Sequence, residues 1–316
     1  MKPPERTIAG WRLRTRTLEL GRRTLIMGVV NITPDSFSDG GLFLNPEAAV
    51  AHALLLLDEG ADILDLGAES TRPGSRAGGA AGSESAPAVS AEEEQARLLP
   101  VLEGILAARP EAIVSVDTYK AATARAALAA CAEIINDVSG FEWDPEMAAV
   151  CAKSRCGVVL MHTRGRPEEW RNQQQLVPDE LLAAVRSGLA ASLAAAAQAG
   201  IAPQSIVLDP GYGFGKRFDE NYALLARQAE LLSLGRPLLA GLSRKSFLGR
   251  TLAPLYAGGN PATESVPFAP VEAREAASLA ALAAAILHGA SVVRVHAVRS
   301  AVEAALIVDA VLESRP

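Results

Sequence analysis

Aromatic and sulfur-containing residues are scarce in this sequence. Of its 316 residues, 4% are aromatic and three are cysteines, while 49% are hydrophobic and 21% are charged. A hydrophobic fraction of this size excludes wholesale disorder. No segment approaches the ~18 uninterrupted apolar residues of a membrane helix, and the longest candidate, residues 280–287, ends at His288 and Gly289. We therefore expect a globular protein that does not cross a membrane.

The excess of charge of one sign is small. The 36 acidic and 30 basic residues give a formal net charge of −6, which argues against broad binding to nucleic acid or anionic lipid. The N-terminus carries charges without a following apolar run and cleavage site, so we expect a cytoplasmic location. Cys131, Cys151 and Cys156 lack the paired spacing of a metal site, and we interpret them as reduced, buried thiols.

Short β-branched or aliphatic runs alternate with longer Ala- and Leu-rich stretches, which is typical of repeated βα units. The predicted strands are residues 25–31, 63–67, 113–117, 134–137, 157–161, 206–209, 238–242 and 292–295. Eight apolar strands joined by helices favour a closed (β/α)8 TIM barrel, with an open doubly wound sheet as the alternative. Residues 11–22 precede the first of these strands and are predicted to form a short β-hairpin across the N-terminal end of the barrel.

The length allows two domains, but one α/β barrel also fills it, and we predict a single domain over residues 1–316. Two segments break the βα rhythm. Residues 75–89 are rich in Gly, Ala and Ser, and residues 253–271 contain four prolines and a Gly pair. We predict two long loops there, because such segments in a compact domain are usually lids or disordered insertions.

Nearly every predicted strand ends in polar residues. These are Asn31, the run Glu69 to Arg72, Asp117, Asn136 and Asp137, His162, Asp209, the run Ser243 to Lys245, and Arg294 with His296. In a barrel such positions converge on the C-terminal mouth, where active sites are built. A lone Asp or Asn there is more often a turn or helix cap, and Asp35, Asp117 and Asp137 could serve that way. Caps alone do not account for the whole set.

The chemistry of this set is selective. Carboxylates and amides suit a ring that presents amide and amino donors, such as a pterin. Arg72, Lys245 and Arg294 suit an anion such as phosphate. A zinc cluster is absent, and no Ser has a neighbouring His for nucleophilic catalysis, although spatial adjacency stays open. Residues 209–216 carry several glycines but match no phosphate-loop spacing, and they are better suited to backing a flat ligand, with Phe214 as a wall.

With these residues the chain resembles the dihydropteroate synthase family, the folate-pathway branch of the pterin-binding barrels. The resemblance covers almost the whole chain. It rests on ordered motifs: MGVVNITPDSFSDGG at 27–41, DLGAESTRPG at 65–74, SVDT at 115–118, INDVSG at 135–140, LMH at 160–162, DPGYGFGK at 209–216, GLSRKS at 241–246 and RVH at 294–296. The first, second and seventh of these are highly specific.

The resemblance implies an enzyme that joins 4-aminobenzoate to 6-hydroxymethyl-7,8-dihydropterin diphosphate and releases pyrophosphate. It implies a homodimer and small-molecule substrates. It also implies Mg2+ as cofactor, with Asn31 holding Mg2+ or the diphosphate. Because the electron-rich dihydropterin can share positive charge on its methylene carbon, we expect an SN1-like path in which pyrophosphate departs before the amine attacks.

The resemblance also assigns site residues. The pterin would be bound by Asp117, Asn136, Met161, Asp209, Phe214 and Lys245, and the diphosphate by Asn31, Thr71, Arg72, Arg294 and His296. The 4-aminobenzoate would be framed by Phe37, Pro73, Gly213, Arg244 and Ser246. Catalysis would rest on Asn31, Asp35, Thr71, Arg72, Lys245, Arg294 and His296.

The chain departs from the family pattern in three places. The connection at residues 75–89 is longer than is common in the family, and Ala297 occupies a position where the family usually has Asp. Ala277 occupies a position where a Gly-Thr or Gly-Ser pair is usual. Two alternative functions are compatible with the same barrel fold. One is a pterin-binding paralogue without synthase activity. The other is a corrinoid-dependent methyltetrahydrofolate methyltransferase, which lacks motifs like those at 31–41 and 70–74.

Overall fold

A computed structural model describes residues 4, 6–33, 45–69, 89–256 and 268–314. Its strands are β1 (Ala9–Arg12), β2 (Thr17–Leu20), β3 (Leu25–Asn31), β4 (Ile63–Gly67), β5 (Val114–Asp117), β6 (Ile134–Asp137), β7 (Gly157–Met161), β8 (Ile206–Asp209), β9 (Leu238–Ala240) and β10 (Ala290–Val295). Its α-helices are α1 (Pro46–Asp58), α2 (Ala91–Ala108), α3 (Ala121–Ala129), α4 (Met147–Ser154), α5 (Pro178–Gln198), α6 (Phe218–Ala226), α7 (Ser246–Tyr256), α8 (Glu275–Leu287) and α9 (Val298–Glu313). Short 3-10 turns cover Trp170–Asn172, Pro203–Ser205, Gln228–Leu234 and Val271–Arg274.

Strands β3 to β10 form a closed parallel barrel in chain order, with β10 pairing back onto β3. The predicted TIM barrel is therefore confirmed, and the open doubly wound sheet is excluded. Two predicted strands are too long. The strand predicted at 113–117 begins at Val114, and the one predicted at 238–242 ends at Ala240. Strand β9 pairs with β10 from Leu238 to Ala240 but meets β8 at a single register pair, Leu208 with Leu238.

Local signals in the sequence set where the first barrel helices begin. The Asn45 side chain accepts the Ala48 N–H, and Pro46 takes the first helical position, where its missing N–H costs nothing. Ser90 caps α2 by accepting the Glu93 N–H at 3.1 Å. The helices bury their apolar faces against the outward side of the strands and form the larger of two apolar clusters.

The smaller apolar cluster fills the lower interior of the barrel. It contains Leu25, Met27, Ile63, Ile134, Val159, Val207, Leu239 and Val292 from the strands. Strands β1 and β2 form the predicted hairpin, and Trp11, Leu13 and Leu20 join this cluster from below. The indole N–H of Trp11 donates to the Ser205 carbonyl at 3.0 Å. The hairpin therefore closes the N-terminal end of the barrel.

Two predictions are corrected by the fold. The segment 253–271 is not one loop, because α7 continues through Pro254 to Tyr256 and a 3-10 turn begins at Val271. Cys131 is not buried: it follows α3 in a left-handed turn with φ of 72° and is exposed. Cys151 and Cys156 are buried, and all three cysteines are free.

Helix α5 is long and apolar enough, by length and composition, to cross a membrane. It is the one such helix in the part of the chain that the structure describes. One face, which includes Leu181, Val185 and Leu189, packs in the apolar cluster around the barrel. A helix that packs on a barrel can have the same length and apolar composition as a membrane-spanning helix, so these two properties of α5 are weak evidence for a membrane segment.

Candidate active site

Strand alternation determines which polar side chains enter the barrel. Successive residues of a strand face opposite sides, so positions two apart share the interior. Above the apolar layers, the interior positions are Asn31, Asp65, Ser115, Asp117, Asn136, Met161, Asp209 and Arg294. The barrel is therefore apolar at its closed end and polar at its C-terminal mouth.

A buried network centred on Asp65 and Arg294 lies at the floor of the mouth. The Arg294 Nε donates to Asp65 Oδ2 at 2.6 Å, and its NH2 group donates to Asp117 Oδ2 at 2.8 Å. The Asn136 amide donates to the same Asp65 oxygen at 3.1 Å. This network orients three predicted ligand side chains, Arg294, Asp117 and Asn136, from three different strands.

Burial is the main influence on the charges in this network. It raises the pKa of Asp117 to about 7, with Arg294 opposing the shift and Asp65 adding to it. For Arg294 burial alone would lower the pKa, but the carboxylates of Asp65 and Asp117 outweigh it and the pKa is raised. The guanidinium is therefore charged, and Asp117 is poised to gain or lose a proton near neutral pH.

Asp209 lies across the mouth at the end of β8. It is buried, and its Oδ1 accepts the Gly211 N–H at 2.7 Å. Burial raises the pKa of Asp209, while the Gly211 N–H and the cations Lys245, Lys216 and Arg294 lower it. The Lys245 ammonium lies 4.0 Å from the centre of the Phe214 ring. The pterin residues predicted on β8 and after β9 are thus brought together.

Lys216 holds the turn that follows β8. Its Nζ donates to three carbonyl oxygens, those of Gly211 at 2.8 Å, His162 at 3.1 Å and Phe214 at 3.2 Å. Burial lowers its pKa to about 7, and Asp209 acts in the opposite direction. Three acceptors around one ammonium match its three donors, so this buried lysine fixes the backbone behind Phe214.

The rim above Arg294 carries His296, which Ser243 supports. The Ser243 hydroxyl lies 3.0 Å from His296 Nδ1 and 3.3 Å from the His296 backbone N–H, which donates to it. Ala297, which follows His296, offers no carboxylate to this pair. Asn31 ends β3 on the interior side, next to Gly67 of β4 in the sheet register.

Arg244 and Ser246 lie in the turn from β9 to α7. Arg244 has a left-handed backbone with φ of 59°, and Ser246 is the first residue of α7. Gly213 is near Lys245, since a Cβ on it would lie 3.4 Å from the Lys245 side chain. These three predicted 4-aminobenzoate residues therefore border the side of the mouth that holds Phe214.

Five predicted site residues, Asp35, Phe37, Thr71, Arg72 and Pro73, lie outside the described residues. Two polar strand-end residues do not reach the interior. Asp137 accepts the Ser139 and Phe141 backbone N–H groups at 2.8 Å, so it stabilises its own turn, as its cap reading anticipated. His162 is buried outside the barrel beside Gly188 of α5.

Sequence reasoning missed Asp65, although the residue stands inside a quoted motif. Asp65 lies two residues before the end of its strand, and so outside the set of strand-end residues. The available signal was a charged residue at an interior phase of an otherwise apolar strand, Ile63–Gly67. Lys216 was missed too, because a lysine after a glycine-rich turn reads as exposed, whereas this one is 7% exposed.

The donor set suits Mg2+ only in part. Within the described ranges no group of three or more His, Cys, Asp or Glu side chains could hold a metal. Asn31 provides one amide oxygen, and Mg2+ usually keeps several waters and takes its other ligands from substrate phosphates. An ion that arrives with a diphosphate would fit these residues, with Asn31 as the protein residue that would hold it.

Fold and mouth together define a TIM-barrel enzyme whose open end is built for a flat, donor-rich ring beside an anion. The family model for pterin binding enzymes matches residues 27–296. The dihydropteroate synthase of Mycobacterium leprae is 43% identical over 295 residues, which cover 92% of this chain and 94% of that protein.

Solved structures agree. The dihydropteroate synthase of Xanthomonas albilineans with 4-aminobenzoic acid superposes with a TM-score of 0.82 at 40% identity, covering 98% of this chain and all of the other. Its complex with 7,8-dihydropteroate gives a TM-score of 0.79 at 38% identity, covering 97% of this chain and 100% of that one. The chain belongs to the pterin binding enzyme family, and within it to the dihydropteroate synthases, enzymes of folate synthesis.

Proposed function

We propose that this chain condenses 6-hydroxymethyl-7,8-dihydropterin diphosphate with 4-aminobenzoate to give 7,8-dihydropteroate and pyrophosphate. The observation that carries the proposal is the interior ring of Asp117, Asn136 and Asp209 facing Arg294 and Lys245. Asp117, Asn136 and Asp209 supply acceptors for the amino and amide donors of a pterin, with Lys245 beside them, and Arg294 supplies donors for a diphosphate. A methyltransferase or a non-catalytic paralogue is less well supported, because the relatives reported above are dihydropteroate synthases.

The chemistry needs no protein nucleophile. As the bond between the methylene carbon and the diphosphate oxygen breaks, negative charge grows on the leaving group, and Arg294 and His296 at the rim would bind it. Bound Mg2+ would supply further positive charge to those oxygens. The carboxylates of Asp117 and Asp209 would favour positive charge on the pterin ring. The amine of 4-aminobenzoate then attacks the methylene carbon and loses a proton.

The basic test is product formation. Purified protein with Mg2+ and the pterin diphosphate should release pyrophosphate and form dihydropteroate when 4-aminobenzoate is added, as followed by chromatography. Chelation of Mg2+ should weaken binding of the diphosphate substrate but not of the free hydroxymethylpterin. Pterin binding without product, when Mg2+, the pterin diphosphate and 4-aminobenzoate are all present, would contradict the synthase activity.

The dissociative path has its own test. A substrate labelled with 18O at the bridging oxygen should scramble label into non-bridging positions, or release pyrophosphate, without 4-aminobenzoate. The same labelled substrate incubated with the Arg294→Gln variant should scramble less. Chemistry that depends wholly on the amine, with neither scrambling nor release in its absence, would rule the path out.

The expected homodimer and cytoplasmic location belong to this proposal as well. Helix α9 exposes large apolar side chains, with Leu306 at 60%, Ile307 at 69% and Val311 at 48% exposure. Such a patch favours contact with another apolar surface. Light scattering should give the dimer mass for the wild type and the monomer mass for Ile307→Glu. A monomeric wild type would refute the dimer.

A further inference from the structure

Arg244 has a left-handed backbone in the turn between β9 and α7, at the mouth of the barrel. Four described residues other than glycine have positive φ: Cys131, Phe141, Arg155 and Arg244. Cys131 and Arg155 follow the ends of helices, where a left-handed residue is common. Arg244 instead lies between a barrel strand and the helix that starts at the mouth. A residue other than glycine with a left-handed backbone is strained, and the strain persists only where surrounding contacts hold the backbone in place.

Helix α8 and the turn before it enforce the conformation by binding both backbone polar groups of Arg244. The Ser278 hydroxyl accepts the Arg244 N–H at 2.9 Å, and the Arg274 NH1 group donates to the Arg244 carbonyl at 3.0 Å. The Ser278 hydroxyl in turn donates to the Arg274 carbonyl at 2.7 Å. The three residues thus form a closed ring of hydrogen bonds.

The guanidinium of Arg274 is itself held in place along α7. Its Nε and NH2 groups donate to the Ala269 carbonyl at 2.9 and 2.7 Å. It also lies against Gly249, where an added Cβ would come within 2.5 Å of Arg274 Nε. The glycine leaves the space that the guanidinium occupies. Nothing in the proposed chemistry uses Arg274 or Ser278.

We infer that Arg274 and Ser278 are positioning residues that hold Arg244 left-handed and so aim its guanidinium and the first turn of α7 at the carboxylate of the second substrate. This rests on the proposed function. The Arg244 Nε lies 3.9 Å from Glu275 Oε2, and its side chain is 37% exposed. Its charge is therefore only loosely engaged by the protein and is available to a carboxylate from outside.

The test compares 4-aminobenzoate with its neutral analogue 4-aminobenzamide. In Arg274→Gln, kcat/KM for 4-aminobenzoate should fall about tenfold, as for loss of one charge-assisted contact. The value for 4-aminobenzamide and the KM for the pterin diphosphate should stay within about twofold, below the effect of any lost hydrogen bond. Arg299→Gln, an exposed arginine on α9 paired with Glu303, is the control and should change neither.

Two further variants keep the inference falsifiable if Arg274→Gln unfolds. Gly249→Ala should favour the helix in isolation but displace the guanidinium, and should reproduce the selective loss. Ser278→Thr keeps the hydroxyl and should retain discrimination, whereas Ser278→Ala should lose it. Equal losses for both amines and for the pterin substrate, together with a lower Tm, would show a merely structural role and overturn the inference.

Failure of the inference and failure of the function give different results. A wild type that makes dihydropteroate, with variants that discriminate between the two amines as well as it does, refutes the inference alone. A wild type that makes no dihydropteroate refutes the function, and with it the inference, because no carboxylate-bearing substrate is then left for Arg244 to meet.

Discussion

Asp65→Asn is the substitution with the sharpest consequences, because it removes one charge from the centre of the buried network. Asp65 is fully buried, and its Oδ2 accepts both Arg294 Nε and the Asn136 amide. An asparagine oxygen can keep both contacts, so the shape is preserved. The negative charge that balances Arg294 is lost, and an amide replaces Oδ1, which has no hydrogen-bond partner among the described residues.

Weakening a charge-assisted bond and burying an unpartnered amide each cost about 1–3 kcal/mol, so we expect a loss of about 3 kcal/mol in the free energy of unfolding. In a protein of 316 residues, that lowers Tm by about 4–5 °C. A second effect has a definite sign. The charge of Asp65 raises the pKa of Asp117, so its removal should lower that pKa.

The assay is binding of hydroxymethylpterin as a function of pH, followed by fluorescence. Binding should strengthen as Asp117 ionises, and the midpoint, near pH 7 in the wild type, should move to lower pH in Asp65→Asn. Asp137→Asn is the matched control: it changes another buried carboxylate, at the end of β6, that accepts hydrogen bonds from its own turn. It should lower Tm without moving the midpoint. An unmoved midpoint in Asp65→Asn would refute the reasoning.

Three other outcomes follow from the same structure. The pKa of Asp117 in the folded state, about 7, exceeds its ordinary value of 3.8, so between these two pH values the folded state keeps a proton that the unfolded state loses. The contribution of Asp117 to the free energy of unfolding therefore falls as the pH rises from about 4 to about 7. Urea titrations of Asp117→Asn should lack this decline. Lys216→Met removes a cation that lowers the pKa of Asp209, so the pKa of Asp209, followed by carboxyl NMR titration, should rise; a fall would contradict the assignment. Trp11→Ala should cost about 3–5 kcal/mol in urea unfolding with kcat unchanged, and a specific loss of kcat would show that the hairpin does more than close the barrel.

The sequence was sufficient to predict the barrel and much of its mouth, because both follow from local signals. Strand ends converge in any parallel barrel, so Asp117, Asn136 and Asp209 could be placed together without coordinates. The side on which each residue faces is harder to predict. Asn136 and Asp137 are adjacent, yet one enters the interior and the other bonds its own turn. Strand phase separates them, and phase becomes reliable only when the strand boundaries are known.

Features that depend on distant contacts could not be predicted. The left-handed backbone of Arg244 is set by Ser278 and Arg274, and no residue type near Arg244 signals it. Pro254 reads as a helix breaker, but α7 passes through it. A proline in the last turn removes only one backbone hydrogen bond, which the packing of the helix can offset.

The hairpin beneath the barrel also has a kinetic consequence. Trp11, Leu13 and Leu20 close the N-terminal end of the barrel. Substrates and products can therefore enter and leave only through the C-terminal mouth. A pterin bound at the level of Asp117 and Asp209 would lie deeper than a 4-aminobenzoate bound beside Arg244 and Ser246. The pterin diphosphate would then have to enter before 4-aminobenzoate, and the order of entry would follow from depth in the barrel rather than from relative affinity.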